Sequence, residues 1–138
     1  MRRLEFTDSL RIDHGRIDEQ HQALFGLINE MAEAMAAREV ERCKDLSRRF
    51  IAAAKDHFAW EERFLRNAGY PHVDDHARYH HVLVALAEEA RTACEPQDAD
   101  FDHEACFERL VTVFVDDVVK GDLTFKSFLD ERRHRIPS

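Results

Sequence analysis

Helix-spaced pairs of metal-ligand side chains constrain the fold of this chain more than any other feature. His57-Phe58-Ala59-Trp60-Glu61 sets an imidazole and a carboxylate four residues apart, and His76-Ala77-Arg78-Tyr79-His80 does the same with two imidazoles. In an α-helix, residues i and i+4 lie one turn apart on the same face. His21 stands upstream in IDEQHQALF, and Asp122 stands downstream in DDVVKGDLTFKSFL. A His/Glu pair that faces a His/His pair across a helix bundle forms a nitrogen-and-carboxylate cage suited to transition metals. The expectation is a helical chain that holds a metal cluster.

The apolar pattern around these residues agrees. His21, Leu24, Phe25, Ile28, Met31 and Met35 recur at steps of three and four, which is one stripe of a helix. Asp18 is placed to cap that helix and, with Glu19, to complement its positive end. Residues 1–17 then read as an arm whose Phe6, Leu10 and Ile12 can pack on the bundle. A single helix from Asp18 to Asn67 would be on the order of 75 Å long at ~1.5 Å per residue, too long for a compact domain. A tight turn is therefore expected near Arg38–Glu41, although AAREVERCKD contains neither Gly nor Pro. The second helix carries Leu46, Phe50, Ala53, Ala54, His57, Glu61, Phe64 and Leu65 on one face and ends at Gly69-Tyr70-Pro71. Asp74 or Asp75 is expected to cap a third helix that turns His76, His80, Leu83, Ala87, Ala90 and Cys94 inward. After the acidic loop EPQDADFD, a fourth helix from about Asp102 aligns Phe107, Leu110, Phe114, Asp117 and Gly121. Phe125, Phe128 and Leu129 continue to a short terminal turn. The reading is an all-α, antiparallel up-down-up-down four-helix bundle over residues 18–131, within a single domain spanning 1–138.

Composition excludes several other classes. A net charge of −8 with no basic run argues against a nucleic-acid surface or an anionic membrane as partner. No stretch approaches the ~18 apolar residues of a membrane span, and Met1-Arg2-Arg3 is not followed by an apolar signal segment, so a cytoplasmic chain is expected. Cys43, Cys94 and Cys106 read as reduced, small apolar helix residues, with a disulfide or a thiolate ligand as the alternatives.

Taken singly, His21 could be a hydrogen-bonded core histidine and His57/Glu61 a surface ion pair. Together the ligand candidates fall on the inward stripes of three helices. Burying four imidazoles and a carboxylate without a metal would cost several kcal/mol in unmet polar groups. Glu62, about 100° around the helix from Glu61, reads as solvated or as a second-layer partner. His14, His72, His81, His103 and His134 read as surface histidines.

These motifs resemble the hemerythrin family, particularly the single-domain bacteriohemerythrins. The resemblance runs through IDEQHQALFGLINEM, HFAWEERFL, GYPHVDDHARYHHVL and DLTFKSFL. It implies a four-helix bundle holding two non-haem irons, joined by two carboxylates and an oxo or hydroxo bridge, with a vacant position for O2. His21 and His57 would then ligate one iron and His76 and His80 the other, with Glu61 and Asp122 as bridging carboxylates. The family's last motif is His-x-x-x-x-Asp, and here Asp117 occupies the position of its histidine. Val113 stands where the family usually carries tryptophan, and Phe6 replaces a tryptophan of the arm.

Asp117 is thereby expected either to ligate a metal directly or to hydrogen-bond a metal-bound water. As a ligand, an anionic oxygen in place of an imidazole would favour the ferric state and suit hard ions, including Mn, while Zn would serve a non-redox centre. The implied function is binding of O2 or a related small ligand (NO, peroxide) for carriage, storage or sensing. A di-iron oxidase or peroxidase and a metal-stapled structural module are the alternatives. Phe25, Phe58, Phe114 and Val118 are expected to keep water from the site. The mixed charge of the outer faces names no protein partner.

Overall fold

A computed structural model describes residues 15–98, 100–116 and 125–135, and of these the side chains of all but 113, 116 and 132–135. The described residues form α1 (Gly15–Ala36), α2 (Val40–Asn67), α3 (Val73–Ala93), α4 (His103–Asp116) and α5 (Lys126–Arg135). Helices adjacent in sequence pack on one another, α1 on α2, α2 on α3 and α3 on α4. Their direction follows from the contacts. Gln20, early in α1, meets His57, late in α2, whereas Cys43, early in α2, meets Met31, late in α1. Glu61 meets His76 at the same end, and Lys44 reaches Glu95 beyond the end of α3. Each helix therefore runs opposite to its neighbour, as short connections require.

The helix ends show which boundaries a sequence reveals. At the end of α2, Tyr70 N–H donates to Leu65 O (3.0 Å) and Gly69 N–H to Arg66 O (3.1 Å), with Gly69 at φ 80°. This is a Schellman closure, with glycine in the left-handed position that such a closure needs. The end of α1 closes in the same way: Glu39 N–H donates to Ala34 O (2.8 Å) and Arg38 N–H to Met35 O (3.0 Å). Here Arg38 takes the left-handed conformation at φ 58°, so the turn exists without its usual residue. Two expected caps are corrected. α1 is already helical at Gly15, the first described residue, so Asp18 lies within the helix and is buried. His72 precedes α3, and Asp74 and Asp75 fall in its first turn, where they still oppose the positive end of the helix. Asp102 does cap α4, its carboxylate accepting Ala105 N–H at 3.0 Å.

The buried side chains fall into two clusters. The larger includes Leu24, Phe25, Ile28, Phe50, Phe58, Leu83, Phe107, Leu110 and Phe114. The smaller, at the other end, gathers Ile17, Leu65, Tyr70, Val73, Phe125 and Leu129. The C-terminal segment is thus a ten-residue helix, immediately preceded by the fully buried Phe125, and not merely a short turn. The expected arm residues Phe6, Leu10 and Ile12, and Asp117, Val118, Gly121 and Asp122, lie outside the described residues. No helix among the described residues is long and apolar enough to cross a membrane.

Three polar features fasten the end of the bundle away from Glu61, and two of them depart from expectation. Cys94 and Cys106 are bonded, joining the end of α3 to the start of α4 across a separation of 12 residues. The expectation of three reduced cysteines is corrected to one thiol, Cys43, because the reversal between α3 and α4 brings the other two Cα atoms to 5.6 Å. His103 is buried rather than superficial, with its Nε2 2.6 Å from Pro96 O. Lys44, 2% exposed, donates from Nζ to Glu95 O (3.0 Å) and to the Glu41 carboxylate (3.2 Å). Its alkyl stem lies in the core while its charge meets the carbonyl end of α3.

Arg38→Gly should raise stability by about 1 kcal/mol, because it removes the Cβ penalty of a left-handed residue. A rise in the urea midpoint with unchanged slope is the readout. Thiol counting checks the cysteines: denatured but unreduced protein should yield one thiol per chain, and native protein none. Three thiols would show that Cys94 and Cys106 are not joined. Burial pushes the Cys43 thiol from its ordinary 9.0 up to about 12. Between those values the folded chain holds a proton that the unfolded chain has released. The stability contributed by Cys43 is therefore full below about pH 9 and is lost as pH rises toward 12.

Candidate metal centre

Between the two apolar clusters lies one polar layer. Glu61, on the inward face of α2, is fully buried, and His21, His57, His76 and His80 surround it, each buried as well. The two carboxylate oxygens are divided between the histidine pairs. Oε2 is 3.0 Å from His57 Nε2, which lies 3.1 Å from His21 Nε2. Oε1 is 2.8 Å from His76 Nε2 and 3.3 Å from His80 Nε2. Two triads result, His21/His57/Glu61 and Glu61/His76/His80, each with ligand atoms within 4.8 Å of one another and sharing Glu61. Each helix contributes because its ligands lie on its inward stripe. The i, i+4 pairs His57/Glu61 and His76/His80 stack one turn apart, and the antiparallel packing sets them at one height.

These separations fit a bound cation. Metal–nitrogen and metal–oxygen bonds near ~2.1 Å place neighbouring ligands of an octahedral ion roughly 3.0 Å apart. The chemistry of the donors agrees. Gln20 Oε1 lies 2.5 Å from His57 Nδ1. When that Nδ1–H donates to Gln20, His57 Nε2 turns a lone pair toward a carboxylate oxygen 3.0 Å away. Two facing acceptors repel, and a cation between them converts the repulsion into ligation.

Aromatic rings wall the layer on both sides. Phe58 stacks on His80 with ring centroids 3.9 Å apart, and Phe125 meets His76 edge-on at 5.3 Å. Two cavities reach the outer edges of the ligand histidines. One of about 470 Å³ between α1 and α2 is lined by Arg16, Gln20, Trp60 and His57. The other, of about 270 Å³, lies between α2 and α3 and is lined by Lys55, Phe58, Glu62 and His80.

The structure thus brings together five of the expected site residues, His21, His57, Glu61, His76 and His80, while Asp117 and Asp122 lie outside the described residues. Sequence reasoning missed Gln20 as the partner of His57. A signal existed, because residue 20 is turned ~100° from His21 and can face α2 beside it. His72 and His81 are exposed, as expected.

The comparisons agree with this geometry. Residues 13–120 match the model of the hemerythrin HHE cation binding domain, well over half of the chain. The chain belongs to the hemerythrin family. The matched stretch contains the five residues of the polar layer and Asp117, and Asp122 falls just beyond it. The chain is similar to a bacteriohemerythrin of Stenotrophomonas maltophilia, 29% identical over 88 residues, which are 64% of this chain and 58% of that protein. A bacteriohemerythrin of Campylobacter jejuni is 29% identical over 82 residues, 58% of this chain and 61% of its own length. A myohemerythrin of Riftia pachyptila is 33% identical over 80 residues, 58% of this chain and 62% of its own. The chain therefore spans about three-fifths of the length of these relatives.

Metal should stabilise the fold through this layer. At a free concentration about 100 times its dissociation constant, an ion bound only by the folded chain contributes ~2.7 kcal/mol. Melting curves with and without Co(II) should show that upward shift in the wild type and lose most of it in Glu61→Ala. A shift of equal size in Glu61→Ala would remove Glu61 from the ligand set.

Proposed function

We propose that this hemerythrin-family chain is a non-haem di-iron protein that binds O2 or a related small ligand such as NO or peroxide. The observation that carries the proposal is the division of the Glu61 carboxylate, one oxygen toward His21/His57 and the other toward His76/His80. A carboxylate shared in this way serves as a bridge between two ions. In this reading His21 and His57 would hold one iron and His76 and His80 the other, with Asp122 as a further carboxylate ligand. Asp117 stands at the position of a family histidine and adds an anionic oxygen, either as a ligand or through a water. When bound, the iron pair supplies the electrons and the open position that a small oxidising ligand requires.

The chain's own residues do the rest. Gln20 Oε1 accepts a hydrogen bond from His57 Nδ1–H and so keeps Nε2 directed inward. Phe58, stacked on His80, and Phe25 and Phe114 beneath it form a dry floor that limits water at the layer. Phe125 closes the opposite side over His76.

One substitution favours a second reading. With Asp117 in place of an imidazole, the ferric state gains on the ferrous, which suits sensing or oxidase-like turnover better than reversible carriage. A single experiment separates the two. Iron-loaded protein should carry two irons per chain and show an oxo-bridged charge-transfer spectrum. After anaerobic reduction and exposure to air, a long-lived oxygenated spectrum supports O2 binding, whereas direct return to the ferric spectrum supports sensing or turnover. Asp117→His should lengthen the oxygenated lifetime at least tenfold. One metal per chain would overturn the dinuclear assignment.

A further inference from the structure

The two histidines that line the lateral cavities are backed by different chemistry. Behind His57, the neutral amide of Gln20 lies 2.5 Å from Nδ1. Behind His80, the carboxylate of Glu62 brings Oε2 to 3.6 Å from Nδ1. Both histidines turn Nε2 toward Glu61, so each backing group acts on the nitrogen opposite the ligand atom. Glu62 is 22% exposed and lines the cavity between α2 and α3 with His80. The nearby cation, Lys55, is engaged elsewhere: its Nζ lies 2.5 Å from Glu88 Oε1 and holds the Glu88 carboxyl below its ordinary range. The Glu62 carboxylate thus stands as the anionic group beside the His80 ring.

A carboxylate behind a ligating imidazole fixes the ring and raises the electron density at the opposite nitrogen, and losing such a partner typically weakens metal binding 10–100-fold. A neutral amide orients its ring without the charge. At 3.6 Å the carboxylate makes no hydrogen bond, and it acts through its charge on the polar Nδ1 side of the neutral His80 ring.

We infer that Glu62 is a positioning residue that strengthens metal binding at the His76/His80 position, and that Gln20 is its weaker, neutral counterpart behind His57. The two halves of the shared site are thus unequal by construction. This rests on the dinuclear reading above. It deepens that reading by assigning the inequality to Glu62, a residue that touches no metal itself.

Zinc serves as the probe because it reports affinity without redox chemistry. Protein labelled with 15N-histidine is titrated with Zn(II), and the ring signals of each pair, assigned through single His→Gln variants, are followed to saturation. In Glu62→Gln the apparent affinity at His76/His80 should fall at least tenfold while that at His21/His57 changes less than twofold. Adding Gln20→Glu to that variant should reverse the balance and strengthen the His21/His57 position. Unchanged melting of the metal-free variants would show that the bundle itself is intact, and a variant that melts early is replaced by Glu62→Ala with the same comparison. Two zinc ions bound with unaltered affinities in Glu62→Gln overturn the inference and leave the dinuclear reading standing. Fewer than two zinc ions in the wild type overturn both.

Discussion

A single buried carboxylate sets the register of the bundle. Glu61 has no exposed surface, and an ionised carboxylate in that position is tolerable only with partners on every side. Those partners come from α1, α2 and α3, so the three helices must meet at one height for the layer to form. Moving any of them by one residue would carry its histidine about 100° around the helix and away from Glu61. Apolar packing alone tolerates such slippage better, because one leucine can replace another. The polar layer therefore specifies alignment, and the two apolar clusters on either side contribute most of the burial.

The opposite end of the molecule has its own fastening. The Cys94–Cys106 bond joins α3 to α4, and Lys44 draws the start of α2 to the carbonyl of Glu95. Both constraints lie far along the helices from Glu61, near the connections rather than at the ligands. A bundle held firmly at that end can keep an acceptor-rich layer farther along the helices without coming apart. Phe125 and Leu129 complete the arrangement by covering the histidine end with α5.

The layer is also uneven. His57 and His80 each expose an edge to a lateral cavity, and the residue waiting there differs, an amide in one case and a carboxylate in the other. The carboxylate places a negative charge behind His80 that the amide does not place behind His57.

Much of this was legible in the sequence. The i, i+4 pairs, the stripe through His21 and the turn at Gly69 determined an all-α bundle with His21, His57, Glu61, His76 and His80 facing inward, because helical periodicity converts spacing directly into a shared face. The turn at Arg38 was placed by length alone, since a left-handed residue without glycine leaves no local signal. Other features were decided only by tertiary structure. The disulfide required the reversal that brings Cys94 beside Cys106, and burial of Lys44 and His103 depended on which carbonyls the loop after α3 presents. The division of Glu61 between two histidine pairs and the pairing of Gln20 with His57 and Glu62 with His80 belong to the same class. Periodicity says which face a residue occupies. The partner it meets there is set by the height and rotation of a neighbouring helix, which no local spacing encodes.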